Sequence, residues 1–196
     1  HAPPTTARPP TRATREPPAA RSAPHAPRPN ATPAAPLLLT ALGPAVTHPT
    51  PEARHDMAHG AHLAGRAINI SKTTTPHALS YALTHDHNVP HGFAVALTFK
   101  ACLALRHSRP SAPPGTDTVA TIPPGPPESS ANSMDAALTR FQDLQVACGA
   151  PTRLRDVGVS EADLNQMVRR VDPKRLANDT LNPTSADLLE ILRSSC

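Results

Sequence analysis

The sequence predicts an all-α fold: a partial helical domain on a chain whose long Pro-rich segments are expected to be disordered. Three observations carry this expectation. The chain has 196 residues and 26 prolines, and the prolines crowd into residues 1–51 and 108–132. Over 52–107 and 133–196 apolar residues instead recur at three- and four-residue steps, the period of a helix face. Helix-start signals head these stretches, whereas strand-like alternation is limited to Val157 and Val159, too short to nucleate a sheet.

Residues 1–51 hold runs such as Ala2-Pro3-Pro4, Arg8-Pro9-Pro10 and Glu16-Pro17-Pro18, a Pro/Ala/Thr/Arg low-complexity tail. Such a composition buries too little apolar surface to offset the backbone entropy of ordering, roughly 1–2 kcal/mol per residue. Disorder with local polyproline II character is expected. An out-of-frame reading of GC-rich DNA yields the same composition, so a tail not evolved as structure is a working hypothesis. Leu37-Leu38-Leu39 is its apolar run, far shorter than the ~20 residues of a membrane span.

Residues 52–71 read as the first helix, with Met57, Ala61, Ala64 and Ile68 as its apolar stripe. Gly60 and Gly65 either weaken it or admit a close neighbour. Thr75 before Pro76 is the expected N-cap of a helix of about two turns, with Ala78, Leu79 and Leu83 facing inward. His85 to Val89 then form the loop, and Pro90 opens the next helix. From His91 to His107 the chain is apolar on most sides, as in a domain interior, so its exposure is expected to cost stability.

Residues 108–132 read as a Pro-rich linker. Helical patterning resumes near Met134, with Leu138, Phe141 and Leu144 on the same face, Ser133 as cap and Gly149 as closure. Ser160 with Asp163, and Thr184 with Asp187, are capping-box starts of two further helices.

The chemistry centres on His77 and His91, fourteen residues apart and each preceded by a proline. That spacing would stand two imidazoles at two helix starts joined by a short loop. Neutral imidazole is the commonest transition-metal ligand, and helix ends restrict the entropy lost on capturing a cation. The same spacing also fits two histidines satisfied by backbone carbonyls. His55, His59 and His62 read as exposed helix histidines, and His85 and His87 as loop residues.

The formal net charge is +4, with much of the excess on Arg8, Arg12, Arg15, Arg21 and Arg28. No aromatics interleave these arginines and no groove-binding motif occurs, so neither specific nucleic-acid binding nor a membrane partner is expected. Cys102, Cys148 and Cys196 are odd in number and widely spaced, which fits reduced thiols and a cytoplasmic setting.

Lys72-Thr-Thr-Thr-Pro-His-Ala-Leu-Ser-Tyr81 and Pro90-His91-Gly92 resemble the iron-containing alcohol dehydrogenases, closest in wording to the branch with phosphonoacetaldehyde reductases. Ala61 to Ile70, Pro151 to Val159 and Arg175 to Pro183 are similar to the same family in the same order. The resemblance covers roughly residues 52–107 and 133–194, the helical metal-binding domain.

It implies Fe2+ (or Zn2+) as the metal, NAD(P) as the hydride carrier of the complete enzyme, and a small alcohol or aldehyde as substrate. His77 and His91 would be metal ligands. Tyr81, one turn after His77, stands where many relatives place a further histidine and would face the substrate pocket. Lys72 and Thr73 to Thr75 would line the same cleft. The family also takes ligands from an upstream Asp-x-x-x-His and binds its nucleotide on a Gly-rich domain, and neither motif occurs in this sequence.

The expected function is therefore that of a fragment of an iron-dependent, NAD(P)-linked alcohol dehydrogenase or aldehyde reductase. It would be inactive alone, either a truncated remnant or a piece that needs another polypeptide for nucleotide and ligands. The alternative is a non-catalytic, His-rich metal-binding or interaction protein that reuses the helices.

Overall fold

The computed structural model describes residues 31–109 and 134–196. In chain order these form α1 (Ala31–Thr47), α2 (Pro51–Ser71), α3 (Thr75–Asp86), α4 (His91–Ser108), α5 (Met134–Ala147), a 3₁₀ turn (Leu154–Val157), α6 (Glu161–Arg169), α7 (Pro173–Leu176) and α8 (Ser185–Ser194). No strand occurs among the described residues, as an all-α fold requires. The expectations for residues 1–30 and 110–133 lie outside the described residues.

The expected disorder of residues 1–51 fails from Ala31 onward. Helix α1 runs for 17 residues with Pro36 and Pro44 inside it. A proline in a helix interior costs about 3 kcal/mol, which local sequence cannot recover. Packing supplies the compensation: α1 lies against α2 with Ala34 and Ala41 buried, while both prolines face solvent.

The α1–α2 contact also corrects the expected stripe of α2. Its buried positions are Ala53, Gly60 and Ala67, seven residues apart, whereas Ile68 is 42% exposed. The small residues face inward because α1 approaches closely. A Cβ on Gly60 would stand 2.8 Å from Cγ of Leu38, inside the limit of real contacts, whereas one on Gly65 would meet nothing within 4 Å. The Thr50 hydroxyl accepts the Ala53 N–H at 3.2 Å and caps the helix ahead of Pro51.

The main core is built from α3, α4, α6 and α8. Leu79 and Leu83 of α3, Leu97 of α4, Leu164 and Met167 of α6, and Leu188, Ile191 and Leu192 of α8 form one buried cluster, joined by Leu154 from the 3₁₀ turn. The Leu154 N–H donates to the Ser195 carbonyl at 2.8 Å, tying that turn to the end of α8. Helix α4 is therefore not left uncovered, as the sequence suggested. One flank meets α8, and Phe99 packs against Phe141 of α5 with ring centroids 5.1 Å apart. Phe93, 41% exposed, is the large residue α4 leaves to solvent.

Two boundaries shift. Helix α3 extends to Asp86, so His85 belongs to its last turn and the loop is short, with Asn88 at φ +53. Its N-cap is Thr74 and not Thr75. Both capping boxes form as expected: Asp163 accepts the Ser160 N–H at 2.8 Å, and Asp187 accepts the Thr184 N–H at 2.6 Å. Among the described residues no helix is long and apolar enough to cross a membrane.

Candidate metal centre

The start of α3 is held by a residue 104 positions away. Thr74 makes no side-chain cap, and the first amides of a helix need acceptors. The Asp179 carboxylate supplies one: its Oδ2 accepts the Thr75 N–H at 3.2 Å and the Thr75 hydroxyl at 2.5 Å. Its Oδ1 accepts from Arg106 Nη2 at 2.8 Å and from the Leu181 N–H at 3.0 Å. Arg106 also donates to the Thr180 hydroxyl at 3.2 Å. Asp179 is 3% exposed, so its charge is compensated by Arg106 and by the positive end of α3. One carboxylate thus joins the start of α3, the end of α4 and the segment after α7.

Two residues beyond Thr75, His77 meets His91 of the first turn of α4, with ring centroids 5.5 Å apart and planes at 60°. The expected helix-start pairing is present. Ser80, fully buried, lies between them. Its hydroxyl donates to the His77 carbonyl at 2.8 Å and stands 3.3 Å from His91 Nδ1. A hydroxyl has one proton to give, so towards His91 the Ser80 oxygen accepts. With Nδ1 on the Ser80 hydroxyl, Nε2 is the His91 nitrogen left to a ligand, as where a metal-binding imidazole takes its orientation from an outer partner.

His77 is half-buried, and burial, with a smaller contribution from the neighbouring His91, pushes its pKa below the usual imidazole value. It therefore favours the neutral form that can donate a lone pair. Tyr81, one turn on, has its ring centroid 6.0 Å from that of His91. Arg175 of α7 lies over the Tyr81 ring, its Cζ 4.2 Å from the centroid, and donates to the phenol oxygen at 2.6 Å.

The other histidines among the described residues stand apart from this pair. His87, at the far end of α3, lies close enough to Asp163 to help lower that carboxyl's pKa, and α3 separates it from His77 by roughly 15 Å. His55 and His59 are exposed on α2 with ring centroids 6.2 Å apart. Among the described residues no third His, Cys, Asp or Glu joins His77 and His91 in a metal-holding group. Lys72 and Thr73 line one cleft with Arg175, whereas Thr75 is buried on Asp179. Sequence reading missed Ser80, Arg175 and Asp179. Ser80 lies three residues after His77 and so shares its helix face, a readable signal; the other two lie in the stretch Arg175 to Pro183, which resembles the family but carries no mark of their partners.

Residues 31–196 match the model of the Fe-containing alcohol dehydrogenase family, C-terminal domain. The chain is 30% identical over 119 residues to 1,3-propanediol dehydrogenase of Klebsiella pneumoniae, covering 59% of this chain and 30% of that protein. It is 31% identical over 105 residues to phosphonoacetaldehyde reductase of Streptomyces viridochromogenes, covering 52% of this chain and 27% of that protein. The matched stretch thus spans about a third of the length of these curated relatives. Sulfoacetaldehyde reductase from Bifidobacterium kashiwanohense, solved in complex with NAD+, superposes with a TM-score of 0.70 at 28% identity, over 84% of this chain and 42% of that one. A crystal structure of 1,3-propanediol oxidoreductase gives a TM-score of 0.71 at 24% identity over 85% and 44%, a likeness of fold.

Proposed function

The chain belongs to the iron-containing alcohol dehydrogenase family, and from that premise we propose that it supplies part of the metal centre of an NAD(P)-linked alcohol or aldehyde oxidoreductase. The observation that carries this reading is the His77–His91 pair, ring centroids 5.5 Å apart, with Ser80 orienting one ring. The donor set suits a divalent transition metal: two imidazoles, with the pKa of His77 lowered by burial and His91 held at Nδ1 by Ser80. Fe2+, or Zn2+, would be held by His77 and His91 together with carboxylate and imidazole ligands from outside this pair.

The bound metal would supply Lewis acidity to the oxygen of the alcohol or aldehyde. The chain's own residues position that oxygen. Asp179 fixes the start of α3, and so His77; Ser80 holds Nδ1 of His91 and so orients its ring; Tyr81 presents its ring beside His91 and, through Arg175, a polarised phenol. Hydride would come from a nicotinamide held on a dinucleotide-binding polypeptide, since this sequence has no Gly-rich phosphate loop. Alone, the chain turns over no aldehyde.

Calorimetric titration of the chain with Ni(II) and Fe(II) tests the metal reading. Site-specific binding should disappear in His77→Ala and in His91→Ala and persist in His55→Ala. Equal losses in all three variants would show diffuse chelation by a His-rich chain and would favour a non-catalytic metal-binding protein. Reduction of an aldehyde by NADPH well above the His77→Ala control would refute the inactivity of the chain alone.

A further inference from the structure

His77 and His91 offer a divalent metal half of the ligands it takes in a closed tetrahedral site. Their spacing suits a shared ion. Metal–nitrogen bonds of about 2.0–2.1 Å at a tetrahedral angle stand two imidazole centroids roughly 5 Å apart, and the observed separation is 5.5 Å. His91 is exposed and His77 half-buried, so an ion held between them keeps its outer side open to solvent.

Among the described residues the oxygen donors nearest the pair are already engaged. Both oxygens of Asp179, the acid that caps α3, are taken by Thr75, Arg106 and the Leu181 N–H. The Ser80 hydroxyl gives its proton to the His77 carbonyl and lies against Nδ1 of His91. The Tyr81 phenol oxygen accepts from Arg175 at 2.6 Å, and that guanidinium would repel a second cation. No further His, Cys, Asp or Glu of the described residues completes the group. Water or a second polypeptide must therefore fill the open positions, and imidazole suits these metals better than water does.

A second copy of the chain brings what is missing. Its exposed pair is identical, so a twofold axis through the ion closes a site of four imidazoles. A patch that meets itself across such an axis gives a closed dimer and not a filament. The formal net charge of +4 on each copy opposes contact in the absence of the ion, which makes the association depend on the metal.

We infer that a divalent metal pairs two copies of this chain, with His77 and His91 of each copy forming one four-imidazole site. The inference rests on the proposed reading of these histidines as metal ligands and adds a partner to it. Four imidazoles leave no position for an alcohol or aldehyde oxygen, since a catalytic site keeps one ligand position open. The paired form is therefore inactive by construction. A polypeptide carrying other ligands would compete with the second copy for the same ion.

Sedimentation velocity of the full 196-residue chain with Zn(II) tests this. The 20.6 kDa species should double in mass as Zn(II) reaches one ion per two chains, and EDTA should reverse the change. His77→Ala and His91→Ala should each stay monomeric at the same Zn(II), whereas His55→Ala should pair as the unaltered chain does. His91 is exposed, so His91→Ala keeps the test valid should His77→Ala misfold. A doubled mass that persists in His91→Ala or in EDTA would overturn the inference. So would a chain that stays monomeric while binding an ion that His77→Ala abolishes, a result that leaves the metal reading standing. Zn(II) binding untouched by both His77→Ala and His91→Ala would overturn the metal reading itself, and the paired site with it.

Discussion

Thr75 and Asp179 are 104 residues apart in sequence, and the carboxylate of one receives both the backbone N–H and the hydroxyl of the other. This pairing makes the position of His77 depend on a segment that contributes none of the candidate ligands. Removing the carboxylate strands a partly buried Arg106 charge and an uncapped helix start together. Asp179→Ala should therefore destabilise the chain by about 3 kcal/mol, within the range for breaking a buried ion pair. Urea unfolding checks this, and an unchanged midpoint would refute the tie.

Gly60 and Gly65 lie in the same helix and should respond in opposite directions. Alanine gains about 1 kcal/mol of helix propensity at either position. At Gly65 the new methyl meets open space, so Gly65→Ala should stabilise by up to that amount. At Gly60 it would press on Leu38, and overpacking costs about 1–3 kcal/mol, so Gly60→Ala should destabilise or at best break even. Thermal unfolding of the two variants therefore tests whether α1 docks on α2. Two equal gains would mean that it does not.

Ser80→Ala should weaken metal binding without abolishing it, by about 10- to 100-fold, as for other groups that orient a ligating imidazole. The loss should be smaller than in His91→Ala. Metal capture should also fade as pH falls below about 6.5, where ordinary imidazole protonates; the lowered pKa of His77 moves its own share of that loss further down. Binding of Ni(II) followed across pH 5 to 8 measures both effects. Ser80→Ala with wild-type affinity would remove Ser80 from the site.

The Ser160 hydroxyl and backbone N–H hold the Asp163 carboxyl below its usual value of 3.8. A carboxyl depressed in the folded state adds stability that is complete above the unfolded value and is lost as pH falls through the folded one. Asp163→Asn should lower stability at neutral pH and flatten the acid limb below about pH 4. Unfolding midpoints against pH give the comparison, and parallel curves for the two proteins would show that the capping box contributes nothing.

Features written into neighbouring residues were legible in the sequence. Ser160 with Asp163 and Thr184 with Asp187 are local cap patterns, and both formed; Pro76 and Pro90 marked two helix starts and so brought attention to His77 and His91. The absence of strand periodicity gave the all-α class. Tertiary structure decided the rest, because those features depend on what approaches from elsewhere in the chain. Pro36 and Pro44 argue against a helix until α2 covers its other face. Gly60 becomes the buried point of α2, in place of the Ile68 stripe, only because Leu38 comes close enough to need the space. Asp179 and Arg175 carry no mark of their partners, since a charge pair is fixed by distance in space and sequence records only distance along the chain.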